Sequence, residues 1–176
     1  MTFTPTQLPG AFIIDVVLCL DERGAFAQTF CAGDFQKHGL NPHVVQCALS
    51  FNKSRGTLRG LHWQVAPHAQ AKLVRCTRGA IYDVIVDLRA GSPTFRQHLT
   101  LELTAENRRM LYVPEGFAHG FQTLEDNTEV LYQFGQPYVP GTEGGARWDD
   151  PAFGIQWPIA GRIMNQRDQN FPDFSG

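Results

Sequence analysis

The sequence predicts an all-β domain, and three observations carry that prediction. Val, Ile, Leu and Phe gather in short runs along the chain. The 17 glycines and 11 prolines are scattered between those runs as punctuation, the pattern of many short strands joined by turns. The clearest run, Ile81-Tyr-Asp-Val-Ile-Val-Asp-Leu88, has one apolar face (Tyr82, Val84, Val86, Leu88) and one mixed face (Ile81, Asp83, Ile85, Asp87). Such a strand suits a sandwich or barrel with apolar packing on one side and a polar pocket on the other.

Taken in order, a strand is expected over 11–20, ended by the turn Asp21-Glu-Arg-Gly24, with a short alternating strand over 26–30. Residues 32–38 read as a short helix stopped by Gly39. Strands follow over 44–50, 60–64, 72–76, 80–88, 98–103, 110–113, 120–123 and 129–133, with a turn at 104–107. From Tyr138 onward the chain is rich in Pro, Gly and Trp and reads as loop. No repeat or linker divides it, so residues 1–176 are expected to form one domain. A chain of this size buries roughly 70% of its unfolded surface, enough for a core without staples.

A net charge of −2 and a pI near 6.3 argue against a nucleic-acid binder, which needs a basic face. No apolar run reaches the ~18 residues of a membrane span. The start, Met1-Thr-Phe-Thr-Pro5, lacks the basic-then-apolar pattern of a secretory leader. A cytoplasmic protein is the expectation. Cys19, Cys31, Cys47 and Cys76 contain no CxxC pair, which disfavours structural zinc, and they read as small buried apolar residues.

The chemistry concentrates around Gly56-Thr-Leu-Arg-Gly-Leu-His62-Trp-Gln64, where a histidine sits among glycines and large apolar residues. An imidazole titrates near neutral pH and can take or give a proton. His119 lies in a similar frame, Pro114-Glu-Gly-Phe-Ala-His119. That spacing matches the second half of a cupin metal motif, but the first half would need His-x-His and a nearby Glu. Here it is His62-Trp-Gln64, with no Glu before Glu102. Too few donors remain for a tight site, so no metal is expected.

His38, His43, His68 and His98 lie in polar contexts and read as surface or structural residues. No nucleophile elbow and no phosphate-binding glycine loop is present, so neither covalent catalysis nor a bound nucleotide cofactor is indicated. His, Tyr, Lys and Arg remain, a set that suits proton transfer next to a carbonyl. A carboxylate orienting the histidine could be Asp83, Asp87, Asp149, Asp150 or Asp168, and spacing leaves that choice open.

The chain resembles the dTDP-4-dehydrorhamnose 3,5-epimerase family of nucleotide-sugar enzymes. The motifs, in order, are Asp21-Glu-Arg-Gly24, Leu58-Arg-Gly-Leu-His62, Lys72-Leu-Val-Arg75, Asp83-Val-Ile-Val-Asp-Leu-Arg89 and Gly91-Ser-Pro-Thr-Phe95. Ala105-Glu-Asn107, Pro114-Glu-Gly-Phe-Ala-His-Gly-Phe121, Leu131-Tyr132, Trp148-Asp-Asp-Pro151 and Ile155-Gln-Trp-Pro158 follow. The resemblance implies a metal-free, cofactor-free cupin-type jelly roll with a few short helices, forming a homodimer that exchanges N-terminal strands. It implies His62 as base, Asp168 as its orienting carboxylate, Tyr132 as acid on the opposite face of the sugar, and Lys72 as donor to the enolate oxygen. By the same match Arg23, Arg59, His119, Glu143 and Arg167 contact the nucleotide sugar, and Phe26 and Tyr138 sandwich its base.

The chain departs from the family at substrate-contact positions. Gln46-Cys47-Ala48 stands where Gln-Asp-Asn is usual, with one extra residue before His62; Gln28 replaces an acidic residue; and Pro137-Tyr138 replaces paired tyrosines. Epimerisation at both C3 and C5 is the leading expectation. Alternatives are epimerisation at one carbon, a 3,4-ketoisomerase acting on another nucleotide deoxysugar, or a sugar-nucleotide binding module without catalysis.

Overall fold

A computed structural model of the chain describes residues 1–175. It holds thirteen strands and two short helices. A six-stranded sheet contains β1 (Thr2–Pro5), β2 (Phe12–Asp15), β10 (Met110–Val113), β7 (Lys72–Arg78), β12 (Thr128–Phe134) and β5 (Gln46–Asn52), in that spatial order. A five-stranded sheet is ordered β13 (Glu143–Gly145), β6 (Leu58–Gln64), β11 (Phe117–Thr123), β8 (Ala80–Asp87) and β9 (His98–Thr104). Pairings between named strands are antiparallel, with neighbours far apart in sequence, the crossover wiring of a jelly roll. This is the cupin-type all-β architecture that the sequence predicts.

The two sheets pack face to face. Val74, Cys76, Leu111, Val113 and Val130 from one meet Ile81, Ile85, Leu103, Phe117 and Phe121 from the other, all buried. Strand β8 explains both of its faces. Ile81 and Ile85 point into the shared interior with Asp83, while Val84, Val86, Tyr82 and Leu88 pack outward. Their cover is the C-terminal segment, through Phe153, Ile155, Trp157 and Phe174. The outer face of the six-stranded sheet is capped by helix α1 (Ala32–Lys37), whose Phe35 packs on Ile14, Leu73, Met110 and Tyr112.

Several sequence expectations need correction. The strand expected over 11–20 breaks after Asp15; the chain leaves the sheet and resumes as β3 (Cys19–Asp21), which pairs only with β4 (Gly24–Phe26). Residues 27–30 carry no strand, because no partner lies beside them to accept a ladder. The region beyond Tyr138 is not all loop: β13 adds to the five-stranded sheet and helix α2 (Gln166–Gln169) forms one turn. Strand β1 was not anticipated from Thr2-Phe-Thr-Pro5. Only Cys76 is a buried cysteine; Cys19 and Cys47 are exposed and Cys31 is half-buried. The first two lie on a free hairpin and an edge strand, where no layer covers them.

Candidate active site

Two glycines set the geometry. Gly60 has φ +112°, and a Cβ there would sit 2.7 Å from the Cα of Gly120. A Cβ on Gly120 would in turn meet the Arg59 carbonyl at 2.8 Å. Strands β6 and β11 therefore approach more closely than side chains allow, and their ladder shifts register between His119 and Phe121. His119 is thereby set directly opposite His62.

His62 Nε2 lies 2.8 Å from Asp168 Oδ1, across 106 residues of sequence. The second carboxylate oxygen accepts the Gly60 N–H at 3.0 Å. Asp168 is held in place by α2, whose N-cap Asn165 accepts the Asp168 N–H at 2.7 Å. Burial alone would raise the Asp168 pKa, but the hydrogen bond from His62 and the charge and backbone donors around it hold it below the usual carboxylate value. An ionised carboxylate only accepts, so His62 carries its proton on Nε2 and leaves the Nδ1 lone pair free. The His62 side chain remains 40% exposed, so that lone pair is open to a substrate.

Lys72 enters from β7. It is buried, its Nζ donates to the His62 carbonyl at 3.3 Å, and burial pulls its pKa down to about 8 against the opposing charge of Asp83. Tyr132 lies on β12, next to β7 in the sheet that faces His62, half-buried, stacked on Phe134 at 5.7 Å and edge-on to His119 at 5.9 Å. Burial, with the Asp83 charge adding to it, lifts its phenol far above the ordinary value, so the hydroxyl stays protonated. His119 Nε2 lies 2.7 Å from Oδ1 of the fully buried Asp83.

A cleft of about 180 Å³ opens beside these groups, lined by His62, Lys72, Tyr138, Glu143 and Arg167 with Trp63, Gln64 and Gln70. Tyr138 is fixed from several sides. Its hydroxyl donates to Glu143, its N–H donates to Gln46 Oε1 at 2.8 Å, and Gln64 accepts the neighbouring Val139 N–H at 2.8 Å. The flat faces of Gly144 and Gly145 leave room for the Trp63 and Phe171 rings, which a Cβ would strike at 2.2 and 2.1 Å. Among the described residues, no three His, Cys, Asp or Glu side chains cluster as a metal site. The arrangement supplies a proton acceptor, a buried cation and a protonated phenol, two of them from one sheet and one from the other.

A family model described as dTDP-4-dehydrorhamnose 3,5-epimerase matches residues 5–176. A curated enzyme of that name from Sinorhizobium fredii is 45% identical, over 86% of this chain and 78% of its own length. The crystal structure of the Elizabethkingia anophelis enzyme superposes with a TM-score of 0.96 at 41% identity, covering 99% of this chain and 96% of that one. The Bacillus anthracis enzyme, solved with TDP and pyrophosphate bound, gives 0.95 at 39% identity, covering 98% and 99%. The chain belongs to the dTDP-4-dehydrorhamnose 3,5-epimerase family.

Within this family member the expected site residues divide into two groups. His62, Lys72, Asp168, Tyr138, Glu143 and Arg167 converge on the cleft, with Gln46 supporting Tyr138 from behind. Tyr132 and His119 lie deeper between the sheets, and Arg59 on β6 donates to Asn52 Oδ1 at 2.7 Å on β5 of the other sheet. Arg23, Phe26 and Gln28 are not brought to the cleft; all three are exposed on or beside the β3–β4 hairpin. Arg23 bonds only to Asp21 of its own turn, and Phe26 is 75% exposed. Sequence reasoning missed Gln64 as an anchor of the Tyr138 segment, although its place in the lost His-x-His pattern marks it. It also left Asp83 among several candidate carboxylates.

Proposed function

We propose that this enzyme inverts C3 and C5 of a dTDP-linked 4-keto-6-deoxyhexose through enolates, with His62 as base and Tyr132 as acid. Inversion next to a ketone removes a proton from one ring face and returns one to the other, so two groups on opposite sides of the sugar are required. The observation that carries the reading is the origin of His62 and Tyr132 on facing sheets, with the Lys72 ammonium beside them. His62 takes the α-proton on Nδ1, Asp168 stabilises the imidazolium that results, and Lys72 donates to the enolate oxygen. Positioned acid–base groups contribute ~10² to 10⁴-fold each and an oxyanion donor ~10² to 10³-fold.

The nucleotide end is assigned to Tyr138, Glu143, Arg59 and Arg167, with stacking and charge pairing as the recognition chemistry. The working form is a homodimer. Edge strand β5 carries Leu49 and Phe51, more than half exposed, and the hairpin carries Leu20 at 75%. Apolar side chains on an open edge and a free hairpin call for a second copy. Exchange of the hairpins sets Arg23 and Phe26 over the partner's cleft, where Phe26 and Tyr138 sandwich the base. Exposed, unpaired Cys19 and Cys47 suit a cytoplasmic enzyme, since thiols stay reduced there.

The test is incubation with dTDP-4-keto-6-deoxyglucose in deuterated water, followed by NMR. Deuterium at C3 and C5 with inversion at both is expected. Labelling at one carbon restricts the enzyme to a single centre, and no labelling at either sinks the proposal.

A further inference from the structure

Asp83 lies at the middle of β8, fully buried between the sheets. Its Oδ1 accepts from His119 Nε2 at 2.7 Å, and its Oδ2 is shut off from solvent without a hydrogen-bond partner among the described residues. A buried carboxylate oxygen without a donor costs free energy, so its retention points to a role outside folding. The titratable groups around it come from three strands: His119 on β11, Lys72 and Cys76 on β7, and Tyr132 on β12. Two of these are the proposed oxyanion donor and the proposed acid; on its other side Lys72 shares the cleft with His62, Tyr138, Glu143 and Arg167.

We propose that Asp83 is a positioning residue for proton transfer, its Oδ1 locking the His119 tautomer and its charge serving as the counter-ion of the Lys72 ammonium. The inference rests on the epimerase reading above and adds a residue to it. Its physical basis is symmetry of need. At 2.7 Å Asp83 Oδ1 takes the Nε2–H of His119 as donor and fixes the ring in one orientation, with Nδ1 as the remaining acceptor. Lys72 is disfavoured as a cation by burial, and Asp83 is the charge that opposes this. Without Asp83 the ammonium loses its proton at lower pH, and the enolate oxygen loses its donor.

The sign follows directly. Lys72 works charged, its pKa is already down at about 8, and turnover is therefore lost as pH rises through that value. In Asp83→Asn the alkaline limb of the kcat profile moves to lower pH, by about one unit or more, the size of a lost nearby charge. A purely structural aspartate would reduce kcat at every pH and leave the limb in place, and that result overturns the proposal. Native enzyme that fails to exchange substrate protons at any pH would instead overturn the epimerase reading. Should Asp83→Asn not fold, ¹⁵N NMR of the native enzyme decides. His119 held as the Nε2–H tautomer from pH 6 to 9 supports the lock, and a mixture of tautomers overturns it.

Discussion

The floor of the barrel and the β3–β4 hairpin settle their side chains in opposite ways. On the floor, His62, His119, Asp83 and Asp168 are paired at 2.7–2.8 Å, and both carboxylates are buried. On the hairpin, Arg23 finds only its own turn, while Leu20 and Phe26 stand three-quarters exposed. The floor's side chains find their partners within the chain, whereas those of the hairpin face solvent. If the proposed roles hold, proton transfer and nucleotide recognition are separable, and substitutions should sort by region.

The largest effect is expected at His62. Replacing it with Ala removes the proposed base and should cut kcat by about 10³-fold or more, and the thermal unfolding midpoint should fall as well, because the buried Asp168 carboxylate keeps the Gly60 N–H but loses its imidazole partner. Next comes the hairpin: the double variant R23A/F26A should raise KM about 10- to 100-fold, the size of a lost base stack and charge contact, with kcat within a few-fold of native. A matching loss of kcat would erase the contrast between the regions. Mixing His62→Ala chains with R23A/F26A chains sharpens it. If each hairpin serves the other copy's cleft, hybrids hold one intact site, and turnover at low substrate rises above either parent. No gain on mixing would place the hairpin over its own cleft. The smallest effect is at Asn165, where Ala should lower stability by about 1 kcal/mol through loss of the α2 N-cap and loosen Asp168.

The sequence was most legible where a residue answers to its immediate neighbours. The two-residue alternation of 81–88 reports a strand between two packed layers, and β8 lies there with its aspartates inward. The apolar run 11–20 misled, because apolar composition alone does not mark where a strand leaves its sheet. The chain breaks away after Asp15, and Val17 and Leu20 stand exposed. Helix α2 is a single turn, too short for periodicity, although Asn165 three residues before Asp168 is a capping signal. The choice of Asp168 over its rivals needed the fold itself, since the pair closes over more than a hundred residues. Gly60 and Gly120 read as punctuation in sequence, yet their meeting is what sets His62 opposite His119.

The measurement that goes to the centre of the account is proton exchange by Tyr132→Phe in deuterated water. Phenylalanine keeps the stack on Phe134 and the contact with His119 and removes only the hydroxyl. With His62 as base on one face and Tyr132 as acid on the other, substrate should still take up deuterium while inversion stops. Normal inversion in this variant would contradict the assignment and move the acid to another residue, with Tyr138 in the cleft the first to test.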